Sequence, residues 1–173
     1  MLLLIKAIKE KRLNASISII LSNRADALIL ENAKKNHLNA VFVDSKNVTR
    51  VEYDEKLSFE LKKYQVDLVV LIGYMRILSS KFVKEWERRV INIHPSLLPA
   101  FAGGMNHDVH QAVLDAGAKE TGCTVHEVSE IVDAGTILLQ KKCAVLENDT
   151  VESLKNRVQQ LEAEALIEVI NKM

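Results

Sequence analysis

Residues 67–73, DLVVLIG, form a short continuous apolar run that ends in glycine. Such a run is too short for a helix buried on all sides, and its Val content favours a strand covered on both faces, as in parallel sheets. A second strand, RVINIH at 89–94, follows a short helical stretch at 79–88 and runs into Pro95. Strand, helix and strand in that order imply a crossover unit. The same alternation extends upstream. Residues 2–11 place Leu3, Leu4, Ala7 and Ile8 on one helical face; 15–21 (ASISIIL) is a β-branched strand; Ala25–Lys35 is helical. A short strand at 40–44 and a helix at 54–65 complete the first half. Downstream, His107, Asp108, Val109 and His110 open a helix reaching Ala116. Strands at 123–128 and 137–145 follow, and Thr150 caps a last helix over 151–170. The expected fold class is α/β, a doubly wound, mostly parallel sheet with an antiparallel edge. With 48% hydrophobic residues among 173, one core and one domain over 1–173 are expected. The chain opens directly in a helix, without the strand and phosphate-gripping loop that usually precede it in such folds.

Charge and cysteine content exclude several function classes. Lys plus Arg and Asp plus Glu both number 23, so the net charge is zero and there is no bulk basic field for nucleic acid. Cys123 and Cys143 lack partners at zinc-like spacing and read as two buried, reduced thiols. No apolar run approaches the ~18 residues of a membrane span, and the MLLLIKAIKEKRL start lacks the plan of a signal peptide. A cytoplasmic protein with small-molecule substrates, no metal, no nucleic acid and no membrane partner is expected, as monomer or homodimer.

Ligand sites in open α/β sheets lie beyond the carboxyl ends of strands. Two such ends stand out, LIGYMRIL at 71–78 and NIHPSLLPAFAGG at 92–104. Asn92 and His94 lie at i and i+2 of one strand and face the same side. An amide donor beside an imidazole can stabilise a developing oxyanion near neutral pH. Asp133, in IVDAG, would orient His94 and favour its imidazolium if the fold brings them together. Taken singly, each has a bland reading: a structural histidine, a turn aspartate, and ordinary packing for Met75 and Leu78.

Together these motifs resemble the glycinamide ribonucleotide formyltransferase family. NIHPSLLPAF followed by the Asp of IVDAG carries the resemblance, with SNRADA at 22–27, GYMRIL at 73–78 and TGCTVHEV at 121–128 in the same order. The resemblance covers nearly the whole chain and implies a formyltransferase-like Rossmann variant. It places Asn92, His94 and Asp133 at the catalytic positions. It places Met75, Arg76, Leu78, Val90 and Val128 in the folate pocket, and Gly73, Gln159 and Glu162 on the side of the glycinamide substrate. The implied cosubstrate is 10-formyltetrahydrofolate, and the implied reaction is formyl transfer to the amine of glycinamide ribonucleotide in purine synthesis. Asn92 and a protonated His94 would hold the oxyanion, with Asp133 keeping the ring charged and moving the amine's proton.

The sequence departs from the family pattern in four places. The opening strand and its GxGSN-type loop have no counterpart, which implies weak ribonucleotide binding and exposed sheet edges. Thr136 stands where proline is usual. Ala163 and Leu166-Ile167 replace a His and a Tyr-Pro, and AGGMNHDVH is longer than the commonest loop. Formyltetrahydrofolate hydrolase and methionyl-tRNA formyltransferase are the competing enzymes. The first usually has a second His where Pro95 stands, and the second a basic C-terminal domain. An inactive folate-binding remnant is the non-enzymatic alternative.

Overall fold

The computed structural model describes residues 1–103 and 108–173. In chain order the elements are α1 (Leu2–Lys9), β1 (Ile20–Ser22), α2 (Leu28–Lys35), β2 (Ala40–Phe42), α3 (Arg50–Lys63) and β3 (Val69–Leu71). They continue with α4 (Ser80–Glu85), β4 (Val90–His94), α5 (Val109–Asp115), β5 (Glu120–Glu127), β6 (Ile137–Ala144) and α6 (Val151–Ile170). His107, expected at the start of α5, lies outside the described residues.

Local chemistry explains the sharpest boundaries. The two long helices, α3 and α6, are capped by Thr49 and Thr150. Thr49 accepts the Glu52 backbone N–H at 3.2 Å, while the Glu52 carboxylate accepts that of Thr49 at 2.7 Å. This reciprocal pair begins α3 at Arg50, earlier than the apolar pattern from residue 54 implies. Thr150 and Ser153 make the equivalent exchange at the head of α6, which runs as expected over 151–170. β1, β2 and β3 are shorter than their apolar runs because they end where ladder partners end, whereas β5 begins at Glu120, ahead of the expected 123. Only Ile20–Ser22 pairs from the region of the 15–21 run, with Ala40–Phe42.

The strands form two sheets. β1 and β2 make a parallel pair, and β3-β4-β5-β6 make a mixed sheet. β3 and β4 are parallel, β4 and β5 antiparallel, and β5 and β6 antiparallel, the expected antiparallel edge. β1 has no ladder to β3, so each keeps one edge without a strand neighbour among the described residues. That is why Val69, Val70 and Leu71 are half-buried rather than buried on both faces, correcting the reading of 67–73.

Helices cover both faces. Ile91 and Ile93 point into a core shared with Leu4, Val113, Leu154 and Val158. Val90 points the other way, into a core of Tyr53, Leu57, Phe82 and Trp86 from α3 and α4. Trp86 is held there by a 2.9 Å hydrogen bond from Nε1 to Ser58 Oγ. Both cysteines are free thiols, but only Cys123 is buried; Cys143, on β6, is half-exposed. No helix among the described residues is long and apolar enough to cross a membrane.

Candidate active site

Strand alternation creates the site. Val90, Asn92 and His94 share one face of β4. Val90 is covered by α3 and α4. Further along the strand the same face lines a cavity of about 410 Å³, within the usual range for small-molecule sites. Asn92 and His94 both line it. Antiparallel register sets His126 of β5 directly opposite Asn92, and Thr124 opposite His94.

That register produces a polar cluster. Asn92 Nδ2 lies 3.2 Å from His126 Nε2. His126 Nδ1 faces the Glu127 carbonyl at 2.8 Å, so Nδ1 carries the ring proton and Nε2 accepts from Asn92. Asp133 closes the cluster. Its Oδ2 is 3.5 Å from His94 Nδ1 and its Oδ1 is 3.7 Å from His126 Nε2. The Gly103 backbone N–H donates to Asp133 Oδ2 at 2.8 Å. Asp133 adopts a left-handed backbone, φ 54°, a conformation Asp tolerates better than most side chains. Gly135, just beyond, passes so close to β5 that a Cβ there would overlap the Glu127 carbonyl.

The loop after β4 is fixed from beneath. Thr124 Oγ1 donates to the Ser96 carbonyl at 2.7 Å and accepts the Leu98 backbone N–H at 3.0 Å. Gln140 Nε2 adds bonds of 2.9 Å to Thr124 Oγ1 and to the Leu98 carbonyl. So anchored, the loop presents the Phe101 carbonyl 3.1 Å from His94 Nε2. A carbonyl only accepts, so Nε2 carries the proton, and a neutral His94 turns its Nδ1 lone pair toward Asp133.

Burial is the largest influence on His94 and lowers its pKa; Asp133 and the Phe101 carbonyl pull it upward without overcoming burial. The expectation of a standing imidazolium is therefore corrected: the resting ring is neutral. With His94 neutral, the Asp133 carboxylate faces its Nδ1 lone pair, so the two have a place for one additional proton between them.

Most of the other residues singled out from sequence meet around the same cavity. Gly73, Met75, Arg76, Leu78 and Val128 line it, as do Gln159 and Glu162 of α6. Met75 is 63% exposed at the rim, while Leu78 is buried. The Arg76 guanidinium stacks 4.6 Å from the Tyr53 ring centroid. Burial raises the Glu162 carboxyl above its ordinary pKa, against the pull of nearby positive charge. Val90 stands apart, inside the core behind the wall, where its carbonyl accepts the Val128 N–H at 2.9 Å and pins that residue in place. His126 was missed. It lies within TGCTVHEV, and the alternation Thr124, His126, Val128 puts it on Val128's face. Only strand register brings it to Asn92.

Comparison with known proteins identifies the family. Residues 2–170 match the family described as Formyl transferase. The chain is 42% identical over 163 residues to the trifunctional purine biosynthetic protein adenosine-3 of Gallus gallus, covering 94% of this chain and 16% of that protein. It is 40% identical over 149 residues to the phosphoribosylglycinamide formyltransferase of Haemophilus influenzae, covering 86% of this chain and 69% of that one. A crystal structure of glycinamide ribonucleotide transformylase 1 from Symbiobacterium toebii superposes with a TM-score of 0.91 at 38% identity, covering 97% of this chain and 78% of that one. The chain thus spans only a small part of the trifunctional relative and under four-fifths of the other two. A doubly wound α/β fold with Asn92, His94 and Asp133 gathered at one cavity, and a family match running almost end to end, place this chain in the formyl transferase family.

Proposed function

We propose that this chain transfers a formyl group from 10-formyltetrahydrofolate to the amine of glycinamide ribonucleotide, a step of purine synthesis. The observation that carries the proposal is the convergence of Asn92, His94 and Asp133 on the cavity wall, with His94 Nδ1 3.5 Å from Asp133 Oδ2. Family membership implies a folate-derived formyl donor. The cavity suits one: Leu78, Val128 and Ile131 offer apolar surface for a fused ring, beside the polar cluster.

The chemistry follows from the donors and acceptors. Attack of the amine nitrogen on the formyl carbon makes the new C–N bond and turns the carbonyl oxygen into an oxyanion. Asn92 gives one amide N–H to His126 and has the second for that oxygen. The His94 Nε2–H exchanges the Phe101 carbonyl for the more negative oxygen, because hydrogen bonds to charged acceptors are stronger. The proton lost by the amine goes to the Asp133–His94 pair, where two acceptor atoms face each other. It is returned to the folate nitrogen as the bond from that nitrogen to the formyl carbon breaks.

The test is formyl transfer followed through release of the deformylated folate. His94→Ala and Asn92→Ala are each expected to lower turnover about 10²–10³-fold, the usual cost of losing one oxyanion donor. Turnover equal to the parent in either variant overturns the residue assignment. Folded parent protein that transfers nothing to glycinamide ribonucleotide overturns the activity.

A further inference from the structure

We propose that Tyr53 and Asp54, neighbours on α3, are positioning residues that hold segment 74–78 in the shape needed on the folate side of the cavity. The proposal rests on the formyl-transfer reading and names what fixes the wall against which the folate would bind. Tyr74, Met75, Arg76, Ile77 and Leu78 all line the cavity, whereas Tyr53 and Asp54 do not. The segment lies between the end of β3 at Leu71 and the start of α4 at Ser80, and belongs to neither. Among the described residues, 74–78 take part in no backbone–backbone hydrogen bond. A segment without such bonds takes its shape from the groups that grip it.

α3 grips it at two points. Asp54 Oδ2 accepts the Ser79 backbone N–H at 2.5 Å. Ser79 is also the N-cap of α4, its Oγ accepting the Phe82 N–H at 3.3 Å, so one contact fixes where the segment ends and where the helix begins. Asp54 is 2% exposed and Ser79 is buried too, so loss of the bond would leave a backbone amide unsatisfied. One residue earlier, the Tyr53 ring meets the Arg76 guanidinium at 4.6 Å from its centroid. That ring is 1% exposed, a fixed platform in the core that also holds Leu78. Asp54 Oδ1 and Tyr74 Oη are both buried without a hydrogen-bond partner. A buried carboxyl with one unpaired oxygen costs stability, so Asp54 is poorly suited to packing alone and well suited to holding an N–H. Asn92, His94 and Asp133 depend on other anchors: Gly103 donates to Asp133, and Thr124 and Gln140 hold the loop after β4. Loosening 74–78 therefore weakens folate binding and leaves the chemical step in place.

The experiment measures kcat and KM for 10-formyltetrahydrofolate in the parent, Asp54→Ala and Asp54→Asn, with calorimetric titration by tetrahydrofolate alongside. Asp54→Ala is expected to raise the folate KM about tenfold with kcat within about threefold, and to weaken tetrahydrofolate binding in parallel. Asp54→Asn keeps a side-chain oxygen for the Ser79 N–H and is expected to bring KM back to within about threefold of the parent. An unchanged folate KM, a loss confined to kcat, or an Asn variant no better than the Ala variant overturns the assignment. Should Asp54→Ala not fold, Tyr53→Leu carries the test. The same rise in KM is expected there, and Tyr53→Phe, which keeps the ring, should reverse it; parental KM in folded Tyr53→Leu overturns the assignment. If the parent transfers no formyl group, the titration still decides. Tetrahydrofolate binding that Asp54→Ala weakens and Asp54→Asn keeps upholds the positioning role and removes only the transfer reading. Binding insensitive to Asp54→Ala, or no binding, removes the positioning role.

Discussion

At the scale of single residues, the site works by leaving specific donors and acceptors uncommitted. Asn92 has one amide N–H engaged and, among the described residues, one uncommitted, because His126 fixes the orientation of the amide. On the proposed formyl-transfer reading, His126 is a positioning residue. His126→Ala is expected to lower kcat about 10–100-fold, since loss of orientation at a reacting group costs on that order, while KM for the folate stays near the parent value. Steady-state kinetics with the folate varied checks this, and an unchanged kcat rejects the role. His94 shows why a residue's identity is not its state. An imidazole beside a carboxylate suggests a cation, but the ring is buried against β5 and the Phe101 loop, and desolvation outweighs Asp133.

At the scale of elements, α6 forms one side of the cavity, and its start is secured by short-range bonds. Thr150 Oγ1 accepts the Ser153 N–H at 3.1 Å, and Ser153 Oγ accepts the Thr150 N–H at 3.0 Å. Arg157 reaches back along the helix to both oxygens of Asp149, at 2.7 and 2.8 Å. Thr150→Ala removes one cap acceptor and is expected to cost about 1 kcal/mol. Urea unfolding checks it: the midpoint should fall with an unchanged slope, and an unmoved midpoint means that the cap contributes nothing. The strands depend on longer reach. β1 and β3 are cut from apolar stretches, yet among the described residues each pairs on one edge only, so they are less buried than composition suggests.

At the scale of the whole molecule, buried histidines tie stability to pH. His94 and His110 both have folded pKa values lowered from 6.5, chiefly by burial. Below 6.5 the unfolded chain takes up protons that the folded chain refuses, so acid favours unfolding. Their stabilising contribution is present above that pH and is lost as pH falls from 6.5 through the lowered folded values. Calorimetry from about pH 7.5 to 5 should show Tm falling across this window. The double variant His94→Asn, His110→Asn should flatten the slope, and a parent Tm flat over the same range rejects the linkage. By itself the sequence determined what short-range physics decides: the alternating α/β order, the start of α6 at Thr150, and the shared face of Asn92 and His94. Those follow from capping, from the period of two along a strand, and from apolar runs. Only the tertiary structure decided the rest. Register across β4 and β5 selected His126, and loop anchoring by Thr124 and Gln140 placed the Phe101 carbonyl. Each is a contact between segments far apart in sequence, and burial, which sets the protonation of His94, is a property of the packed whole.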